Sequence, residues 1–225
     1  MVQTDGKTGN RREFLKLTSG LGAGASILAL TAKGLEAEEP FDSMPPRLWR
    51  HARNNGLCMI RRPAPSQLSW RTGIAGKDEP GQPLIVTGMV FAPDGQTPVA
   101  GVTVYAYNTD AAGYYGASRA EYPPRLYGWM RTDGDGRFEL RTILPGPYPG
   151  MQIPAHVHFS LWGAGYPLQW VDELRFAGDR YITPEMLSEA AAQGQFRTIQ
   201  PLARGDDGAL RCGFKIRLQS RCNFA

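Results

Sequence analysis

The sequence predicts an all-β protein, a β-sandwich of mostly antiparallel strands with long loops and one short helix. Three observations carry that expectation. Glycine and proline number 27 and 18, about a fifth of the chain against a usual share of about 12%. Such density favours short strands joined by tight turns over a helical bundle. Several runs alternate in character from residue to residue, the period of two that a half-buried strand requires. Turn-forming clusters, Pro93-Asp94-Gly95 and Asp133-Gly134-Asp135-Gly136, separate them.

Residues 1–37 are expected to be a leader and not part of the fold. Asn10-Arg11-Arg12-Glu13-Phe14-Leu15-Lys16 matches the twin-arginine export pattern R-R-x-F-L-K. The apolar run after it, Leu17 to Ala32, is softened by glycine and serine. A helix needs about 20 strongly apolar residues to span a bilayer. The run therefore reads as the middle of a signal peptide, with no stable membrane anchor expected. Leu35-Glu36-Ala37 supplies an imperfect cleavage site, and the expected location is the periplasm. Its removal leaves about 190 residues, enough for one domain with a substantial core. It also lowers the formal net charge from +4 to about +2. With no lysine or arginine run beyond the leader, nucleic acid is not an expected partner. Of the three cysteines, Cys58, Cys212 and Cys222, two could pair in an oxidising compartment. Their spacing matches no zinc motif, and the pairing stays open.

Residues 38–80 read as an irregular N-terminal arm, with Pro45-Pro46, a basic stretch from Arg47 to Arg53 and a surface histidine, His51. The sandwich is expected over 81–225. Leu84–Phe91 is its first strand and Gly101–Tyr107 its second. Asn108 to Tyr115 is a loop, where Tyr114 and Tyr115 would by themselves read as aromatic cover for a sheet edge. Trp129–Thr132 and Phe138–Thr142 flank the D-G-D-G turn as a hairpin. An EF-hand loop begun at Asp133 would put Leu144 where its glutamate belongs, which excludes calcium there. Further strands are expected at Ala155–Leu161, Gln169–Phe176 and Cys212–Leu218, the last closing the sheet. Thr183 caps a short helix that has Pro184 at its first position and runs to about Gln193.

The chemistry gathers between Thr142 and Leu161. Two of the three histidines, His156 and His158, stand one residue apart on a strand. Side chains at i and i+2 share a face, so both imidazoles can reach one metal ion. Tyr148, between Pro147 and Pro149, lies in a segment too proline-rich for a central strand. A tyrosine held stiffly beside the pair is a candidate third ligand.

T-I-L-P-G-P-Y-P followed by P-A-H-V-H-F resembles the iron-binding core of the intradiol ring-cleavage dioxygenases, of the protocatechuate 3,4-dioxygenase kind. A-G-Y-Y at Ala112–Tyr115 resembles that family's other tyrosine motif at the right distance upstream. The resemblance covers roughly Gly88 to Asp179. It implies four metal ligands, Tyr115, Tyr148, His156 and His158, and a ferric ion. Ligand chemistry agrees with it. Phenol has a pKa of about 10, so tyrosine ligates at neutral pH only when a strongly acidic cation displaces its proton. Fe(III) meets that demand better than Zn(II), Ca(II) or Cu(I). Export after folding would suit a chain loaded with its metal in the cytoplasm. The implied substrate is a catechol, cleaved with O2 between its hydroxylated carbons, with Tyr148 leaving the metal to take a substrate proton. The arm is too short for the helical dimerisation domain of catechol 1,2-dioxygenases, and oligomeric state stays open.

Two positions depart from the family pattern. Arginine is implied three residues before the first histidine, and Ile153 stands there. Glutamine is implied fifteen residues after the second, and Glu173 stands there. Arg131, Arg141 and Arg175 are candidates to supply the missing cation. The connection from Tyr148 to His156 is short, and Gly150 replaces a bulky residue, so a more open pocket is expected. Its candidate residues are Tyr107, Gly150, Ile153 and Glu173. The competing reading is a β-sandwich binding module that keeps the iron site without turnover.

Overall fold

The structure is a computed structural model and describes residues 64–116 and 124–221. The twin-arginine segment, its cleavage site, His51, Cys58 and Cys222 lie outside these residues. Two five-stranded sheets form the expected sandwich. The first contains β1 (Arg71–Gly73), β5 (Arg137–Ile143), β2 (Pro83–Phe91), β10 (Leu210–Arg217) and β9 (Ala203–Arg204), in that order. The second contains β4 (Leu126–Arg131), β3 (Thr103–Asn108), β6 (His156–Gly163), β7 (Tyr166–Phe176) and β8 (Ile199–Gln200). Five of the eight pairings are antiparallel. β1 with β5, β10 with β2 and β7 with β8 run parallel.

The period of two decides which side chains make the core. Val157, Phe159 and Leu161 of β6 point between the sheets, with Val104 and Ala106 of β3 beside them and Leu84, Val86, Phe138 and Leu140 opposite. Gly88 pairs with Phe138 across β2 and β5. A Cβ on Gly88 would sit 2.0 Å from the Phe138 ring, so only glycine lets that ring lie flat over β2. The other face of the second sheet is buried as well, under an aromatic layer that includes Tyr105, Tyr107, Tyr115 and Trp129.

Three expectations change. The D-G-D-G segment does not close a hairpin, because β4 and β5 belong to different sheets. Asp133 Oδ1 accepts from the amides of Asp135 and Arg137, tightening a turn that carries the chain across the sandwich. The sequence specifies the turn, while the partner of each strand depends on which apolar face must meet the core. β10 is not a closing edge, since β9 extends the sheet beyond it. β1, inside the segment read as an arm, adds an edge to β5. The helix meets expectation. α1 (Pro184–Ala192) starts on Thr183, whose Oγ1 accepts from Met186 N at 3.3 Å. Cys212 is buried and has no disulfide partner among the described residues, and burial pushes its thiol up to about 12.

Candidate metal centre

Three chain segments bring four donors together on the outer face of the second sheet. β6 supplies His156 and His158, both only 6% exposed. The start of β6 is pinned where Ala155 N donates to Asp179 Oδ2 at 3.0 Å. The loop after β3 supplies Tyr115. It turns at Gly113 and is held by Asp110 Oδ1, which accepts from the amides of Ala112 and Tyr114, each at 2.9 Å. The proline-rich loop after β5 supplies Tyr148.

Glycine lets the two tyrosine loops touch. Gly146 N donates to Asp110 O at 2.8 Å, and Thr109 Oγ1 donates to Gly146 O at 2.8 Å. A Cβ on Gly113, whose φ is +86°, would lie 2.1 Å from Pro147 O. One on Gly146 would lie 2.5 Å from Ala111 O. No side chain fits at either place, and a positive φ suits glycine alone. Arg125, two-pronged on Glu79, donates its amide to Tyr115 O at 2.7 Å and ties the tyrosine strand-end down.

The donors converge. Tyr115 Oη touches Tyr148 Oη and lies 2.8 Å from His158 Nε2. Tyr148 Oη lies 3.0 Å from His156 Nε2 and 3.3 Å from His158 Nε2. The two Nε2 atoms are 3.0 Å apart. His156 Nδ1 donates to Pro154 O at 2.7 Å, which leaves the Nε2 lone pair free for a ligand role. Burial holds both imidazoles below the ordinary histidine range, His158 well below it. The neighbouring His156 and Arg175 push His158 the same way. Both rings are therefore neutral at pH 7, as ligation requires. Two phenol oxygens and two imidazole nitrogens at one point fit a ferric ion by the chemistry of the donors. Glu173 offers a rival third donor, within 4.8 Å of donor atoms of both histidines. It approaches Nδ1 of His158, at 3.8 Å, while the tyrosines gather on Nε2. The phenol set is the tighter.

The four residues named from the sequence as candidate ligands come together in the structure. Sequence reasoning was less accurate about the opening. A cavity of about 470 Å³ is lined by Gly113, Tyr114, Tyr115, Tyr148, Pro149, Gly150 and Met151. Gly150, a candidate pocket residue, lines it. Tyr114, read as edge cover, lines it too, and Pro149 and Met151 were missed. Their only signal was adjacency to a candidate ligand. Tyr107 is corrected: it is 1% exposed and stacks on His158 across the strand pair, centroids 4.5 Å apart. Glu173 is also placed away from this lining, and Arg175 Nη2 donates to its Oε2 at 2.6 Å. Ile153 is half-buried and does not line the cavity.

The three arginines separate cleanly. Arg141 is in the other sheet and bonds Glu139. Arg131 pairs with Thr103, at the end of the sheet away from Tyr107 and His158. Arg175 pairs in register with His156, so its side chain shares the histidine face.

Comparison with known proteins bears on the chain as a whole. A sequence-family profile described as dioxygenase matches residues 59–220. The protocatechuate 3,4-dioxygenase beta chain of Burkholderia cepacia is 34% identical over 156 residues, 63% of this chain and 66% of that one. Catechol 1,2-dioxygenase 1 of Acinetobacter lwoffii is 34% identical over 101 residues, 36% of this chain and 32% of that one. The chain thus spans between about a third and two thirds of these curated relatives. Among solved structures, the 3-chlorocatechol 1,2-dioxygenase of Rhodococcus opacus 1CP matches with a TM-score of 0.53 at 20% identity. That match covers 93% of this chain and 96% of the other, and it is a likeness of fold.

Proposed function

The chain belongs to the dioxygenase family, and on that premise we propose that it cleaves a catechol between its two hydroxylated carbons, using O2 and Fe(III). The observation that carries this reading is the convergence of two phenol oxygens and two imidazole nitrogens beside an open cavity. When bound, Fe(III) supplies a Lewis acid able to hold phenolates at neutral pH and to draw electron density from the catechol. The chain's own residues do the rest. His156 and His158, buried and neutral, fix one side of the site through their Nε2 atoms. Tyr115, in the buried layer, holds its place through Gly113 and Arg125. Tyr148 is half-buried and lines the cavity while its oxygen reaches His156 Nε2. Its position at the cavity supports reading it as the donor that moves aside and accepts a substrate proton. The aromatic layer of Tyr105, Tyr107 and Trp129 buries the sheet face behind the donors. Catechol plus O2 balances as a diacid with the ring opened, both oxygen atoms retained. The exposed Met151 and Gly150 at the mouth leave space for a ring substituent.

Ile153, in the place of an expected cation, favours a second reading: a sandwich that binds catechol without turning it over. Oxygen uptake separates the two. Purified, iron-loaded protein should consume about one O2 per catechol against a panel of substituted catechols and hydroxyquinols. Full iron occupancy with no uptake on any member would leave only the binding module. Export by the twin-arginine route is a separate proposal resting on Arg11 and Arg12. Cell fractionation would test it, with retention in the cytoplasm expected for the double change Arg11→Lys, Arg12→Lys.

A further inference from the structure

The two histidines place the same demand on their surroundings, and the fold meets it in two different ways. Each must offer Nε2 to the metal as a lone pair, which puts the ring proton on Nδ1. His156 Nδ1 donates to Pro154 O at 2.7 Å. His158 Nδ1 is fully buried and has no hydrogen-bond partner among the described residues. A buried donor left unpaired is costly, so a nearby acceptor is expected. Glu173 Oε1 stands 3.8 Å from that nitrogen. Its other oxygen is bonded to Arg175 Nη2 at 2.6 Å. Both side chains are about a quarter exposed. Arg175 itself is held at its backbone, where its amide donates to Thr198 O at 2.8 Å.

We propose that Glu173, fixed by Arg175, is the hydrogen-bond acceptor for His158 Nδ1–H, and so a positioning residue that sets the orientation and donor strength of this ring at the metal. The inference rests on the proposed iron site. The 3.8 Å gap is beyond a hydrogen bond and closes by about 1 Å of carboxylate movement, within the reach of a glutamate side chain. Tyr107 stacked on the face of the imidazole leaves the ring little freedom to turn instead. An anionic acceptor makes the imidazole a stronger donor and the iron less electron-poor. This assignment also gives Glu173 a use that is separate from the cavity lining, where a negative charge would oppose an anionic substrate.

The test uses the iron-loaded protein and its tyrosinate-to-iron visible band. With Glu173→Gln the acceptor keeps its shape and loses its charge, and with Glu173→Ala it is gone. The band should move to longer wavelength in both variants, further for alanine. Iron loss to a chelator should quicken on the order of 10–100-fold. A merely structural glutamate would lower the melting temperature and leave the band where it was. If the wild-type protein shows the band and both variants keep it unshifted with unchanged iron loss, the pairing is wrong while the iron site stands. If the wild type itself binds iron without the band, the iron site fails and this inference fails with it. Should neither variant hold iron, the gallium(III)-loaded wild type decides by NMR. A strongly downfield His158 Nδ1–H resonance supports the hydrogen bond, and a solvent-exchanged or upfield one overturns it.

Discussion

His156, His158, Tyr115 and Tyr148 meet at one point, yet they are not equivalent. His156→Ala or His158→Ala removes one of four protein donors from a buried site, and each variant is expected to lose iron by metal analysis. Tyr148 sits at the cavity and is the donor proposed to move. Tyr148→Phe should therefore keep part of its iron while the turnover rate collapses, and unchanged turnover would remove Tyr148 from the proton-accepting role. Ile153 poses a different question, because charge developing on a substrate in a dry site needs a positioned donor or cation. Losing one such group costs about 100–1,000-fold in rate. Ile153→Arg is expected to speed cleavage of a simple catechol. Steady-state kinetics beside Arg175→Ala check this. No gain in the first with a loss of about 100-fold in the second, and an unshifted visible band in Arg175→Ala, would mean that Arg175 already fills the position. The carboxylate of Glu173 is paired with Arg175. Glu173→Gln is accordingly expected to bring no gain in rate.

The elements contribute by how closely they approach. β6 divides its residues between two tasks, with Val157, Phe159 and Leu161 in the core and His156 and His158 in the site. The two tyrosine loops are joined through glycine backbone, at Gly113 against Pro147 O and Gly146 against Ala111 O. Gly113→Ala or Gly146→Ala must push these loops apart, since backbone stands on the other side. A cost of about 1–3 kcal/mol in stability is expected, as for other overpacked sites. The visible band should weaken along with it, because Tyr115 and Tyr148 separate. Denaturant unfolding combined with the band intensity checks both. A full-strength band in a destabilised variant would show that the donors do not depend on the loop contact.

At the scale of the whole molecule, the site is only as rigid as the sandwich beneath it. Phe159 is fully buried between Phe138 and Phe214, with ring centroids 5.8 and 5.2 Å away. Phe159→Ala should cost about 3–5 kcal/mol. It lies next to His158 on the same strand, so the loss of packing reaches the metal side through the β6 backbone. Urea unfolding should show the lower midpoint, and iron should leave the variant faster at concentrations of urea well below it. Equal iron retention below the midpoint would mean that the outer aromatic layer alone holds the donors.

Local chemistry was legible in the chain itself. Alternation at Leu84–Phe91 and Ala155–Leu161 announces strands because a side-chain period of two follows from backbone geometry, and Thr183-Pro184 announces a helix start because proline and a capping hydroxyl suit that position. The H-x-H pair and the proline-held Tyr148 are equally local, whereas Tyr115 was named only through the resemblance of A-G-Y-Y to a family motif. Pairing and facing were not legible there. The D-G-D-G turn looks the same whether the strands beside it join in one sheet or cross between two, and only the burial of β4 and β5 against opposite sides of the core decides it. Tyr107 and Glu173 carry no mark of their surroundings in sequence. One is stacked behind His158 and the other set beside its Nδ1 because β3 and β7 flank β6, a register that long-range packing alone selects.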